Sequence, residues 1–411
     1  MTVDSQPPIA PLVRWLAVAL VVCTVALLAL GGLTTSRRAG MDDPAWPTEP
    51  WYLIVNGSKI DLETRTGFLL EHTHRFAGWV VGGLAALVAF AAWQGGPRRQ
   101  PGEVFARIAG AVVLILLLGA YGWFHGQMMA ADKARQATGS FTCPWPSIAA
   151  TAATVAAAVA LAVWQLRQPH PARWVRFTAT LVLLGVMVQG LLGGLRVFLN
   201  SQIGLKDTIG VEFSQLHGIF AQVVFGGMVL LPILAGPRRA AKELGEPDRL
   251  RLKSLSVAVV VGIVVQLLWA VWVRHNPNPL AQRLHILTAF VVAGLLVWLA
   301  VRVLGSPTAR RPLGFAAWHL LALLAVQLLL GVEAWMGKFA AAGPEAAVPP
   351  MDRAITTSAV LIRTAHQLIG ASLLASAAVV AFRVLRPNNP TSRDRQGAEE
   401  IEDRSLAVAA R

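Results

Sequence analysis

Residues 71–93 read Glu71-His72-Thr73-His74-Arg75 and then FAGWVVGGLAALVAFAAW, with no charge from Phe76 to Trp93. An apolar run of this kind, read with the residues just before it, is long enough to cross the hydrocarbon core of a bilayer. In lipid a lone segment must satisfy its own backbone hydrogen bonds, so the run is predicted to be helical. Near its start stands His74, an ionisable side chain inside an apolar layer. Such placement is costly and usually functional.

The rest of the chain repeats the pattern. Ten helices are predicted at about 12–34, 68–93, 104–124, 147–165, 174–198, 212–235, 254–273, 280–304, 315–336 and 357–385. The fourth, alanine-rich from Ala149 to Ala162, is the least hydrophobic. Of the 411 residues, 55% are hydrophobic and only 14% charged, too little charge to cover a soluble protein of that length. The first block is too long for the core of a signal peptide and lacks a small-residue cleavage site, so it is predicted to span as well. Cys23, in an apolar block, and Cys143, in a loop, offer neither a metal-binding spacing nor a disulfide framework.

The net charge of +14 would point to nucleic acid in a soluble protein. Here the basic residues lie in short loops, where they report orientation and argue against nucleic-acid binding. Ten spans place both termini on one side. That side carries Arg14, Arg98, Arg99, Arg167, Arg173, the group Arg238, Arg239, Lys242, Arg249, Arg251 and Lys253, then Arg310, Arg311, Arg386, Arg393, Arg395 and Arg404. The opposite loops are poorer, with Arg37, Arg38, Lys59 and Arg65 the main exceptions. The positive-inside rule puts both termini in the cytoplasm. The tail 387–411 is charged and poor in aromatics, and is predicted to be disordered.

Two parts of the chain repeat one another. Gln189-Gly190-Leu191-Leu192-Gly193-Gly194 precedes a loop and a helix bearing His217, and Gln327-Leu328-Leu329-Leu330-Gly331 precedes a loop and a helix bearing His366. Upstream, His74 and His285 each lie near the start of another helix. The repeat unit is therefore four helices, with histidine on the second and fourth. One unit covers 12–235 and the other 254–385. The two helices within 103–165 have no counterpart and read as an insertion into the first unit.

His74, His217, His285 and His366 each lie about five to ten residues inside their helices, on the order of 10 Å below the outer surface at 1.5 Å per residue. One such histidine alone is as readily a core residue bonded to a neighbouring helix. Four at one level, paired by a repeat, match the two axial ligands that each of two haems needs from facing helices. Zinc would need three or four convergent ligands. His72, His125, His170, His275 and His319 are expected to be solvated or interfacial.

The two units differ beside their histidines. Glu71 lies three residues before His74, on the same helix face. Gln282, Ser214 and Arg363 occupy the matching positions before His285, His217 and His366. Only the first pair thus has a carboxylate suited to proton handling, unless Glu71 serves only to pair with Arg75 one turn on. Arg75, Arg196, Arg283 and Arg363, near the same outer ends, are candidates to neutralise haem propionates or to snorkel to headgroups.

Over residues 12–385, apart from the insert, these features resemble the haem A synthase family. The matching stretches are Gly31-Gly32-Leu33-Thr34 through Gly40-Met41 to Trp46-Pro47, Glu71-x-x-His74-Arg75, Gln189-Gly190-x-x-Gly193-Gly194 before His217, Arg283-x-His285, and Gln327-x-x-x-Gly331 before His366. The resemblance implies two pseudo-symmetric four-helix bundles in the inner (cytoplasmic) membrane, oxidising the C8 methyl of haem O to the formyl group of haem A for terminal oxidases. It implies that His74 and His217 bind the substrate haem, that Glu71 assists, and that His285 and His366 ligate a permanent haem b. Arg75, Arg283 and Arg363 would hold the porphyrins. The implied partners are haem O synthase and a quinone or other electron acceptor, and an oligomer is compatible with the sequence. Two departures stand out: the family usually has eight helices, and the cysteine pair that some members carry in the first outer loop is absent from residues 35–67. That loop, with Trp46, Trp51 and Tyr52, would instead cover the first haem from the interface. A dihaem cytochrome b that passes electrons from quinol would also use the histidines but gives Glu71 no role; a haem transporter or chaperone would need a release route and gives no reason for a permanent second haem.

Overall fold

The structure, a computed structural model, describes residues 11–40, 54–55, 58–59, 66–95, 102–168, 170–202, 209–236, 244–275, 278–338 and 356–385. The predicted cover formed by Trp46, Trp51 and Tyr52, and the tail 387–411, lie outside the described residues. Ten α-helices follow in order: α1 Pro11–Ser36, α2 Thr66–Gln94, α3 Glu103–Thr138, α4 Trp145–Arg167, α5 Arg173–Gln202, α6 Ile209–Leu234, α7 Glu246–His275, α8 Pro279–Gly305, α9 Pro307–Lys338 and α10 Thr357–Leu385. All ten are long and apolar enough to cross a membrane. The chain is an all-α polytopic membrane protein. Among the described residues the one small exception to helix is a pair of two-residue strands, β1 Ile54–Val55 and β2 Ser58–Lys59, in antiparallel register. Between them the sequence reads Asn56-Gly57, a strong hairpin signal.

Three helices run further than hydropathy predicts. α7 begins at Glu246 rather than near 254, because its first turns carry Asp248, Arg249 and Arg251. A hydropathy reading rejects these residues, but a helix emerging into water accepts them, and Glu246 and Asp248 suit the positive end of its dipole. The Asp248 carboxylate also accepts hydrogen bonds from Ser306, at 2.7 Å, and from Thr308. α9 begins at Pro307, where the missing N–H costs nothing. α3 continues past Phe124 to Thr138 and closes on Gly139, whose φ of 76° allows a left-handed cap with its N–H bonded to the Arg135 carbonyl at 2.7 Å.

Helix α1 packs on α2 and α6, and α5 packs on α2 and α6, so these four enclose a common interior. α7, α8, α9 and α10 are joined in the same cyclic way. The inserted α3 and α4 pack on each other, with α3 against α2 and α4 against α5. Apolar side chains fill the two interiors, centred on Leu20, Val88, Leu183 and Leu231 in one and on Val259, Leu296, Leu313 and Val380 in the other. A small cluster of Leu28, Phe225, Ala371 and Ala375 joins them where α1, α6 and α10 meet. Large apolar residues such as Leu87, Phe290 and Phe315 face outwards, as lipid requires.

At the predicted cytoplasmic end, a buried polar network fastens the insert. Arg176 of α5 has no exposed surface. It donates to the carbonyls of Ala92 and Trp93 in the last turn of α2 and of Gly95 just beyond it, at 2.9–3.3 Å, groups with no partner inside that helix. It also grips both oxygens of Glu103 on α3, at 2.5 and 3.2 Å, while Arg107 donates to the same carboxylate at 2.8 Å. His170, expected at the surface, is buried here instead. Its Nδ1 accepts from the Ala172 N–H at 3.1 Å, which directs Nε2 at Glu103, 3.0 Å away. Burial, with Arg176 alongside, lowers the His170 pKa. Arg176→Leu would leave Glu103 paired with Arg107 but strip the α2 end carbonyls of their donor, at a cost of about 1–3 kcal/mol. Unfolding of the purified variant in detergent would show it, and an unchanged midpoint would mean that the network contributes no stability.

Candidate functional site

The four histidines sit six to nine residues past the starts of α2, α6, α8 and α10, or about 9–14 Å along the helix axis. In each four-helix ring the two histidine-bearing helices are diagonal to one another, so their side chains meet across the interior. His74 and His217 have ring centroids 6.5 Å apart with planes at 82°. His285 and His366 have centroids 6.4 Å apart with planes at 76°. The pairs predicted from the repeat are the pairs brought together. Among the described residues no three His, Cys, Asp or Glu side chains converge on one point. Each pair brings together two imidazoles that could ligate a metal.

The spacing suits one iron between two imidazoles. Metal–nitrogen bonds of about 2 Å on each side, with the ring centres about 1 Å further back, put the centroids roughly 6 Å apart.

Helices α1, α5, α7 and α9, which lack these histidines, orient the rings. His74 lies against the Leu27 carbonyl, His217 against that of Gln189, His285 against that of Gln266 and His366 against that of Gln327. The geometry stops short of a full hydrogen bond at His74, His217 and His366, whose Nδ1 atoms are buried without a partner. An imidazole with one nitrogen turned to a carbonyl keeps the other for a second partner. Four residues after each carbonyl stands a small residue: Gly31, Gly193, Ala270 and Gly331. A Cβ at Gly31 would fall 2.9 Å from Cε1 of His74, one at Gly331 would fall 3.1 Å from Cε1 of His366, and one at Gly193 would fall 3.4 Å from Cε1 of His217. These glycines thus make space for the imidazoles. The glutamine side chains add a second hold: Gln189 and Gln266 donate to the backbone carbonyls of His217 and His285 at 3.0 and 2.8 Å. The Gln327 amide nitrogen lies 3.3 Å from Nε2 of His366. Gln266, which also touches the His285 ring at 3.0 Å, was not foreseen; its only sequence signal is its place nine residues before the end of α7.

Around the first pair, Glu71 is buried and accepts a hydrogen bond from Arg75 at 2.7 Å. The pairing anticipated across one turn is formed. Arg196 of α5 lies within electrostatic reach of Glu71, Arg75 and His217. Gly40 leaves room for it, since a Cβ there would stand 2.8 Å from the Arg196 guanidinium. Around the second pair, Arg363 is half-buried and Arg283 exposed. A further arginine, Arg274 of α7, reaches α1 and donates to the Gly32 carbonyl at 2.9 Å and to Ser36 at 3.0 Å.

Two other histidines depart from expectation. His72 is buried and stacked on Phe68, with centroids 5.5 Å apart. His125 lies within α3, not in a loop, because α3 continues through it. It packs edge-on against Tyr121 at 4.4 Å and near Trp79 of α2 at 6.0 Å, while Tyr121 donates to the Met187 carbonyl of α5 at 3.0 Å. His319 is exposed, as expected, and stacks on Phe315. No protein-family model, curated protein or solved structure matches the chain.

Proposed function

We propose that this protein is a haem A synthase-type oxidoreductase of the inner membrane, with both termini cytoplasmic, built as two related four-helix bundles plus an inserted helix pair. The carrying observation is the double arrangement of His74 facing His217 and His285 facing His366, at 6.5 and 6.4 Å between centroids. The repeated carbonyl-and-small-residue cradle behind each ring supports it. His74 and His217 hold haem O, the substrate. His285 and His366 hold haem b, which supplies one-electron redox chemistry when bound.

The difference between the sites supports the assignment of roles. Glu71 lies beside the first pair only, in contact with Arg75 and near Arg196. Guanidinium groups there suit the porphyrin propionates, and the C8 methyl of haem O neighbours a propionate on the porphyrin rim. Conversion of the methyl to a formyl group takes up one water oxygen and gives up four protons and four electrons, the electrons going to a quinone or other acceptor; a carboxylate held among those arginines is well placed to accept the protons. A plain electron carrier has no use for such a group.

The test is pigment analysis of membranes supplied with haem O, with and without the protein. Conversion to haem A supports the synthase. Unchanged haem O together with a quinol-reducible b-type spectrum supports the dihaem cytochrome instead. The cradles give a second expectation. Gly331→Val would push its side chain into the His366 ring, and overpacking of about 1–3 kcal/mol would weaken haem retention at the second site by roughly 10- to 100-fold. Titration of haem b into purified protein measures this, and unchanged retention would deny the glycine its role.

A further inference from the structure

The two sites carry their arginines on different helices. Counted from the carbonyls that face the histidines, Arg196 of α5 stands seven residues after Gln189, and Ala334 of α9 stands seven after Gln327. Arg274 of α7 stands eight after Gln266, and Thr35 of α1 stands eight after Leu27. In each ring of helices the two that lack a haem-facing histidine lie on one diagonal, and a flat group gripped by the other two extends along it. The first site has its arginine at the α5 end of that diagonal, beside the insert. The second has it at the α7 end, where the two halves of the molecule meet.

Arg274 does not behave as a charge reaching for headgroups. Its guanidinium turns to α1 and binds the Gly32 carbonyl and Ser36. Gly32 follows the residue that cradles His74. Ser36 lies 3.5 Å from Thr364 of α10, the neighbour of Arg363, and the Gly32 backbone meets the same threonine. Arg274 lies within electrostatic reach of both Arg363 and His366. Neither Arg274 nor Arg363 forms an ion pair among the described residues. Two neighbouring guanidinium groups between packed helices repel one another unless an anion joins them.

We propose that Arg274 and Arg363 clamp the carboxylates of the porphyrin in the second site at the junction of α1, α7 and α10, while Arg196 and Arg75 hold those of the first at the α5 corner. The assignment rests on the haem reading above. It means that the two porphyrins enter their related bundles in opposite senses, and that α1 is a wall common to both sites, touching His74 through Gly31 and Arg274 through Gly32 and Ser36.

The test uses the purified full chain in a His74→Ala background, so that only the second site binds strongly. It is titrated with haem b and with haem b dimethyl ester, whose carboxylates are blocked. In protein retaining Arg274, esterification weakens binding about tenfold or more, as loss of a charge-assisted hydrogen bond does. Arg274→Gln weakens haem b binding to the same degree, and esterification then adds little. Arg196→Gln leaves this site unchanged. Should Arg274→Gln fail to fold, Arg274→Lys replaces it, and the ester comparison with Arg274 intact still decides. Effects of Arg274→Gln and esterification that multiply overturn the assignment while leaving the haem reading intact. Indifference to esterification, with release of an anionic lipid from Arg274→Gln in native mass spectrometry, makes the anion a headgroup and also overturns it. Failure to bind either porphyrin overturns the haem reading and the assignment together.

Discussion

Glu71→Ala is expected to retain its haem and to lose conversion of haem O to haem A by about 100-fold or more, the usual range for removing a group that transfers protons in the rate-limiting step being about 10²–10⁴. Glu71 is buried and bonded to Arg75 at 2.7 Å, so a purely structural role must be separated from a chemical one. Arg75→Gln makes the separation. If the ion pair only braces α2, Arg75→Gln should damage conversion as much as Glu71→Ala. If Glu71 handles protons, Arg75→Gln should cost far less at saturating haem O, its loss falling on substrate binding, and Glu71→Asp should recover part of the activity. Haem A formation by Glu71→Ala at the normal rate would remove Glu71 from the mechanism.

His285→Ala is expected to strip the second site. The ring meets His366 at 6.4 Å and is fixed from behind by Gln266, and alanine leaves an iron held there with one axial ligand. The low-spin absorbance of haem b should be lost, because the site proposed to hold it is left with one imidazole, while the protein still inserts and the first site still binds. Conversion should fall with it if, as proposed, a haem at the second site carries the electrons away. An unaltered spectrum in His285→Ala would make the cofactor assignment wrong.

Much of this was legible along the chain because membrane helices announce themselves by length and hydropathy. All ten were found; the first turns of α7 and the last of α3 were missed because they carry charges that a helix running into water accepts, and the start of α9 because a proline opens it. The depth of each histidine was legible too, because depth is only distance along a helix. What a helix faces was harder. The His74–His217 and His285–His366 pairs could be matched because the sequence repeats itself. Arg176, Arg274 and Gln266 have no such marker. Arg176 caps carbonyls of α2 more than 80 residues away in the chain, and Arg274 binds a carbonyl 242 residues away. Each reads in one dimension as an ordinary charge near a helix end. His125 and His170 were misjudged for the same reason: a loop was assumed where a helix continues in one case, and solvent where Glu103 waits in the other.

The central claim is that each facing pair of imidazoles grips one iron porphyrin. The most direct measurement is extraction of the pigments from the purified full-length protein, with mass identification and stoichiometry. Two haems per chain are predicted, one of them haem b and the other haem O or haem A. Protein that is folded and pure yet carries no porphyrin, and takes up none when it is offered, would contradict it.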